Sequence, residues 1–205
     1  SGTSLSIWTL WPAGEHVVTE TSSSRIYNAA TYGSVKAAYD AMPSVGFASV
    51  YVPDTEAGIP LGGQFTWSKP NCSLYGDGGS KIICASGTGI QVFSSATSTI
   101  TEGNPYLVIH DVHFQYTNNQ TAGTCIDVRG KGIKIYNVHI RYPFNALNFQ
   151  SCGGSLIQAV DISEATGTCI GIHDSIAIYA NQLYCSNGIG ANLGKGVGMY
   201  MTAWS

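Results

Sequence analysis

The chain has 205 residues, of which 10% are charged and 44% hydrophobic, and its formal net charge is -3. This length suits one domain with a core of its own. The low charge and the absence of a Lys/Arg run exclude the basic surface that nucleic-acid-binding proteins use. No apolar run approaches the roughly 20 residues that span a bilayer, so we expect neither a nucleic-acid partner nor membrane insertion.

The N-terminal third combines a polar arm with one short helix. Residues 1–30 are rich in Ser and Thr and predict an extended N-terminal arm, which leaves 31–205 as the folded domain. The segment "SVKAAYDAM" (34–42) has helically spaced apolar residues and ends before Pro43. Strand patterns follow at 48–53, 63–67, 73–84 and 89–93. A helix in this position is expected to cap the open end of a stack of strands.

Two short phrases recur in the rest of the chain. The first occurs as "IHDVHF" (109–114), "IYNVHI" (135–140), "IQAVDI" (157–162) and "IYANQL" (178–183), with its last residues 26, 22 and 21 positions apart. The second occurs between them as "CIDV" (125–128), "ALNF" (146–149), "CIGI" (169–172) and "ANL" (191–193). Short strands that repeat every 22 residues or so, without intervening helices, are typical of a β-solenoid, in which each coil buries its apolar face against its neighbours. Residues 196–205 show no closing cap, so we also expect a domain truncated at its C-terminus.

The apolar pattern of the first phrase predicts which side chains face the core. Its first apolar residue, its valine and its last apolar residue should point inward. The bend between them should carry Asp111, Asn137, Ala159 and Ala180. Asp and Asn tolerate the left-handed backbone that such a bend can need. The outward column next to the bend should contain His113, His139, Asp161 and Gln182, with coils about 4.8 Å apart.

Carboxylates on neighbouring coils are candidates for catalysis. Glycoside hydrolysis most often uses two carboxyl groups, about 5–5.5 Å or roughly 6.5–9.5 Å apart. One or two coil steps with a lateral offset reach both ranges. The candidate pairs are Asp161 with Glu164 and Asp127 with Asp174. For each carboxylate the alternative is an ordinary solvated position on a turn or strand.

Histidine and tyrosine side chains are candidates for substrate binding. His113 and His139 lie beside Asp161 in the predicted column, where a His–carboxylate pair can exchange protons. The alternative is a hydrogen-bonded surface ladder. Tyr116 and Tyr142 both follow the last apolar residue of a phrase by two positions, and they predict an exposed platform for sugar rings. Packing against a loop or another subunit is the alternative for this pair.

The six cysteines predict buried free thiols. They contain no CxxC pair, so we expect no zinc or thioredoxin-like site, no metal and no cofactor. Cys125 and Cys169 hold the same position two coils apart, about 9.6 Å, which is too far for a disulfide. Free thiols are consistent with assembly in a reducing cytoplasm.

The order of these elements resembles a known fold family. A helix, then "FASVYVPD" (47–54), "CSLYGDGGSKII" (72–83) and coils of the form I-x-N-V-x-I are similar to the start of right-handed parallel β-helices of the pectate-lyase-like superfamily, in particular bacteriophage tailspikes and capsule depolymerases. The resemblance covers about residues 31 to 195. It implies an all-β, right-handed parallel β-helix that recognises bacterial surface polysaccharide as a homotrimer. It also implies glycosidase or lyase activity and a place in the phage tail after assembly in the host cytoplasm.

Two other functions remain open for the same fold. One is a non-enzymatic structural or adhesive spike. The other is a secreted polysaccharide hydrolase or lyase. The Asn-Thr-Asp, paired Asp, Gly-His-Gly and Arg-Ile-Lys motifs of polygalacturonase-like members do not occur in this sequence, which weighs against the secreted enzyme.

Overall fold

The protein is a parallel β-helix of about six turns spaced about 23 residues. The computed structural model describes residues 25–44, 47–92, 106–187 and 197–202, with the backbone alone for 187 and 197–202. Its elements in chain order are β1 (Arg25–Asn28), α1 (Ala29–Tyr32), α2 (Val35–Ala41), β2 (Ala48–Val52), β3 (Ile59–Pro60), β4 (Phe65–Trp67), β5 (Cys72–Cys84), β6 (Ile90–Val92), β7 (Val108–Tyr116), β8 (Thr124–Lys131), β9 (Lys134–Arg141), β10 (Asn145–Ala165), β11 (Thr168–His173), β12 (Ile176–Asn187) and β13 (Val197–Thr202). The predicted all-β solenoid is confirmed.

Each coil contributes to three walls of parallel strands. Wall A stacks residues 25–28, 48–52, 72–76, 108–110, 134–136, 156–158 and 179–181. Wall B stacks residues 59–60, 80–84, 112–116, 138–141, 160–163 and 183–186. Wall C stacks residues 65–67, 90–92, 124–130, 145–150, 168–173 and 197–202. The long strand β10 passes through all three walls as one continuous strand.

The corner between walls A and B is a bend with a left-handed residue. Asp111, Asn137 and Ala159 have φ values of 56°, 52° and 49°, which confirms three of the four predicted bend residues. The fourth prediction, Ala180, is wrong because Ala180 pairs with Ile157 inside wall A. Gln182 takes the corner instead, with φ 53°. The phrase "IYANQL" therefore aligns two residues later than its apolar pattern predicts.

The same shift changes the last member of the predicted outward column. Asp161 pairs with Tyr184 and not with Gln182. The inward position after Ile162 is filled by Cys185. The apolar pattern missed this register because a cysteine, and not a large aliphatic residue, closes the fourth phrase.

The core consists of the inward side chains of successive coils. Ile109, Ile135 and Ile157 are stacked in register and have no solvent exposure. The column Phe114, Ile140 and Ile162 is equally buried. Burying one such side chain fully stabilises the fold by about 1.5–3 kcal/mol, so the repeated apolar columns hold the coils together. The predicted inward positions are confirmed for these three coils.

The helix α2 covers the N-terminal end of the stack. It begins after Ser34, whose Oγ accepts a hydrogen bond from the Ala37 amide at 3.1 Å, as N-cap residues do. Its Tyr39 ring packs 4.7 Å from Trp67 and 5.1 Å from Phe65, both on β4. The predicted capping helix is confirmed. The one-turn helix α1 has too short a pattern to be predicted.

Part of the predicted N-terminal arm lies outside the described residues. This part comprises residues 1–24, with Trp8 and Trp11. Residues Arg25–Asn28 form β1 and pair with β2 in wall A. Neither of the two short helices in the described part is long and apolar enough to cross a membrane.

Candidate functional site

A column of aromatic rings runs along the outside of wall A. It consists of Tyr51, Tyr75, His110 and Tyr136, which we call the aromatic ladder. His110 is stacked between its neighbours, with ring centroids 5.6 Å from Tyr75 and 4.8 Å from Tyr136. Tyr51 extends the ladder, 5.4 Å from Tyr75 in a tilted arrangement. All four side chains are half-buried and so remain accessible from solvent.

Polar groups at the corner contact the aromatic ladder. His110 Nδ1 lies 2.6 Å from Asp111 Oδ2, and Asn137 Nδ2 donates a hydrogen bond to Asp111 Oδ1. Burial raises the pKa of Asp111, but the hydrogen bonds from His110 and Asn137 outweigh it and hold this pKa below its usual value. The carboxylate is therefore ionised and fixed in place at the corner.

The corner continues into the "GDGG" turn of β5. Asp77 Oδ2 accepts hydrogen bonds from Tyr51 Oη at 2.6 Å and from the Asp54 amide at 3.3 Å. The bond to Asp77 is the main cause that raises the pKa of Tyr51. This carboxylate thus links the start of the aromatic ladder to the corner.

The outward column of wall B contains Lys81, His113, His139 and Asp161 in register, and we call it the histidine column. The two imidazole rings meet edge to face with centroids 5.2 Å apart. His139 Nε2 lies 3.1 Å from Ser163 Oγ and 3.8 Å from Asp161 Oδ2. Burial lowers the pKa of His113, and the electrostatic effects of the neighbouring His139 and Lys81 lower it further. The structure thus brings three of the four predicted column members together.

The first candidate carboxylate pair has two different environments. Asp161 lies beside His139, and 56% of its side chain is exposed. Glu164 accepts a hydrogen bond from Arg141 Nε at 3.0 Å and has φ 59°, where the chain leaves wall B. Asp161 is therefore a solvent-facing carboxyl group, whereas Glu164, three residues later, is held by the Arg141 guanidinium.

The second candidate pair is not brought together. Asp127 and Asp174 lie on wall C and just after it, two strand steps and three residues apart, which corresponds to roughly 14 Å between their Cα atoms. Asp127 instead accepts a hydrogen bond from Asn148 Nδ2 at 2.7 Å. Asp174 occupies a left-handed bend after β11. A joint catalytic role for these two carboxylates does not fit this separation.

The predicted tyrosine platform is wrong for Tyr116. This side chain is only 2% exposed, and its hydroxyl donates a hydrogen bond to the Thr88 carbonyl at 2.6 Å. Burial raises the pKa of Tyr116 well above its usual value. Tyr142 is half-buried, with the Arg141 guanidinium 4.6 Å above its ring. Both tyrosines pack against protein groups, so neither forms the predicted open platform.

Wall C carries a small depression. Its volume is about 70 Å³, and it is lined by Asn145, Leu147, Asn148, Thr168, Gly171 and His173. Gly171 has no side chain to fill this depression, since a Cβ at this position would already lie 3.0 Å from Asn148 Oδ1. Within the described ranges, no group of three or more His, Cys, Asp or Glu side chains is arranged to hold a metal ion.

All six cysteines are free thiols, and five of them are buried. The exception is Cys185, which is exposed on β12. The prediction of buried thiols is therefore wrong for this residue.

Comparisons with protein-family models, curated proteins and solved structures found no match for this chain.

Proposed function

We propose that the protein is a tailspike-like receptor-binding protein that recognises a bacterial surface polysaccharide. The proposed binding surface is the corner strip, defined as the aromatic ladder, the corner residues Asp77, Asp111 and Asn137, and the histidine column. The observation that supports it is the alignment of these side chains along the axis of the β-helix, repeated every coil at about 4.8 Å. A polymer of repeating sugar units that lies along this axis meets similar groups at successive coils.

The chemistry of the corner strip suits sugars. Tyrosine hydroxyls, imidazole nitrogens, carboxylates and amides offer the donors and acceptors that pair with sugar hydroxyls. Tyr75 and His110 have neighbours on their ring faces, so they present their edges to a ligand. Tyr136 pairs in register with Gln158, so its far face is not covered by another ring of the ladder. A sugar ring can pack its apolar face there.

Cleavage of the bound polysaccharide is the second part of the proposal. In this scheme Asp161 and Glu164 form the carboxyl pair of a glycosidase, one donating a proton to the leaving oxygen and the other assisting attack on the sugar carbon. His139 supports proton transfer through its position beside Asp161. Asp161 belongs to the histidine column, and Glu164 follows it three residues later, where the chain leaves wall B.

A non-enzymatic adhesive spike is the second candidate. It is favoured by the bonding of the carboxylates, because Asp77, Asp111 and Glu164 each accept hydrogen bonds from neighbouring protein groups. A hydrogen-bonded surface ladder without catalytic activity would show the same bonds. In either case we expect the protein to be part of the virion, at the phage tail, as the resemblance to tailspikes implies.

Incubation with a panel of bacterial surface polysaccharides tests the proposal. Binding is measured by calorimetry, and products are followed as new reducing ends for hydrolysis or as unsaturated sugars for lyase chemistry. We expect binding to one class of glycan and reducing ends from it. The double variant Asp161→Asn, Glu164→Gln should lose product, while binding persists through the aromatic ladder and the corner residues.

The outcomes separate the candidates. Binding without products supports the adhesive spike, and unsaturated products contradict the carboxyl-pair glycosidase. Absence of binding to every polysaccharide, for a protein that is folded by circular dichroism, contradicts the proposed function.

A further inference from the structure

Two thiols meet between β11 and β12, which follow each other along the chain. Cys169 lies on β11 and Cys185 on β12, and the two side chains are in hydrogen-bonding contact. Cys185 pairs in register with Ile162 on the preceding coil. Cys169 is buried, whereas Cys185 is exposed. One member of a contacting thiol pair is therefore open to reagents in solution.

We propose that Cys169 and Cys185 form a disulfide site that is oxidised by a small-molecule disulfide such as oxidised glutathione. Thiol–disulfide exchange needs an accessible attacking thiol and a second thiol within reach of the mixed disulfide. Cys185 supplies the first and Cys169 the second. This inference is independent of the function of the corner strip.

The exchange proceeds in two balanced steps. Cys185 Sγ, after losing its proton, attacks one sulfur of the small disulfide and displaces the other half as a thiol. Cys169 then loses its proton and attacks Cys185 Sγ, which displaces the second small thiol. One protein S–S bond replaces two protein S–H bonds, and the small disulfide is reduced to two thiols that carry the protons.

The local electrostatics assign these roles. The hydrogen bond from Cys169 lowers the pKa of Cys185, which outweighs the effects of burial and of the Asp161 charge. The same contact, together with burial, raises the pKa of Cys169. Since the thiolate is the attacking species, Cys185 reacts first and Cys169 resolves the mixed disulfide.

A second thiol pair in the same chain provides an internal control. Cys84 and Cys125 are also in side-chain contact, but both are buried in the core. Their contact and their burial raise the pKa of Cys84 well above its usual value. This pair has the proximity of the first pair without its access, so it should stay reduced in the native protein.

Oxidation should tie β11 to β12. The crosslink closes the short loop that runs from wall C through wall A to wall B, and it restricts the unfolded chain more than the folded one. At this loop length we expect Tm to rise by about 6–12 °C.

Mass spectrometry of the native chain tests the proposal. The protein is incubated with oxidised glutathione, remaining thiols are alkylated, and the digest is searched for a peptide that links Cys169 to Cys185. We expect this peptide, together with full alkylation of Cys84 and Cys125 after unfolding. Tm is measured before and after oxidation, and Cys185→Ser should show neither the linked peptide nor the rise in Tm.

Three outcomes overturn the proposal. The first is a stable glutathione adduct on Cys185 without a link to Cys169. The second is complete alkylation of both residues after oxidation. The third is equal oxidation of the Cys84–Cys125 pair, which means that unfolding and not native access exposes the thiols. Because Cys185 is exposed, Cys185→Ser should fold, and its circular dichroism spectrum verifies this.

Discussion

Asn137 donates a side-chain hydrogen bond to Asp111, one coil away, and both residues occupy the left-handed bend between walls A and B. The bond links successive coils at the corner. It also fixes the carboxylate against which His110 Nδ1 lies at 2.6 Å. The same two residues therefore shape the backbone and orient one ring of the aromatic ladder.

The corner residue Ala159 has the same backbone conformation without such a bond. Its φ of 49° is unfavourable for a residue with a Cβ and more so for a β-branched one. We expect Ala159→Val to lower the free energy of unfolding by about 1–3 kcal/mol. Ala159→Gly should preserve stability or raise it by up to about 1 kcal/mol. Urea denaturation of both variants checks this, and equal stabilities contradict the left-handed corner.

Core register is tested at Ile135. This side chain is fully buried between Ile109 and Ile157, so Ile135→Asp places a carboxyl group in the stack without a partner. We expect a loss of several kcal/mol in the free energy of unfolding. The exposed neighbour provides the control, because Lys134→Asp should change stability by less than about 0.5 kcal/mol. Similar stabilities of the two variants would falsify the inward register.

The pH dependence of stability reports on His113. Burial, His139 and Lys81 lower its pKa in the folded protein below the ordinary value of 6.5. As the pH falls, the unfolded chain therefore binds a proton at this residue before the folded protein does. The contribution of His113 to the free energy of unfolding is fully present above pH 6.5 and is lost between pH 6.5 and the lower pKa of the folded state. Asp54 and Asp161 face His113 as well and act in the opposite direction.

The variant His113→Gln isolates this contribution. Denaturation midpoints at pH 7.5 and pH 5 should differ less in the variant than in the parent protein. The other titrating groups are common to both proteins and cancel in the comparison. An unchanged or larger pH difference in the variant contradicts the lowered pKa.

Assembly into a homotrimer is a further prediction. The resemblance to tailspikes implies three chains around one axis, and threefold symmetry multiplies weak contacts with a repetitive glycan. On β12, Tyr179 and Tyr184 are 67% and 66% exposed and offer an apolar surface for such contacts. Light scattering coupled to size exclusion should give about three times 21.6 kDa. A monomer at micromolar concentration contradicts this prediction for the chain as it stands.

Burial made the fold predictable from sequence. Ile109, Ile135 and Ile157 recur because every coil must fill the same inward position, and the intervening Asp111 and Asn137 mark the bend by their tolerance of positive φ. These constraints act on single residues in a repeating order. They therefore remain visible in the sequence.

The candidate site was harder to predict, because it depends on contacts between coils of unequal length. Tyr75 and His110 are stacked although 35 positions separate them, since the "GDGG" turn and the segment before β7 lengthen that coil. Tyr116 is paired in register with the inward Cys84. Its position, two residues after the end of a phrase, does not reveal this burial. Outward side chains carry no repeating burial pattern, so their stacking becomes visible only in three dimensions.

Calorimetric titration with a polysaccharide that binds the protein tests the corner strip most directly. Two variants are compared, Tyr136→Ser on the aromatic ladder and Asp127→Asn on wall C, each with its fold verified by circular dichroism. We predict that Tyr136→Ser weakens affinity by about tenfold or more, the loss of one well-placed contact, and that Asp127→Asn leaves it unchanged. Equal affinities of both variants and the parent protein, or a loss confined to Asp127→Asn, would contradict glycan binding at the corner strip.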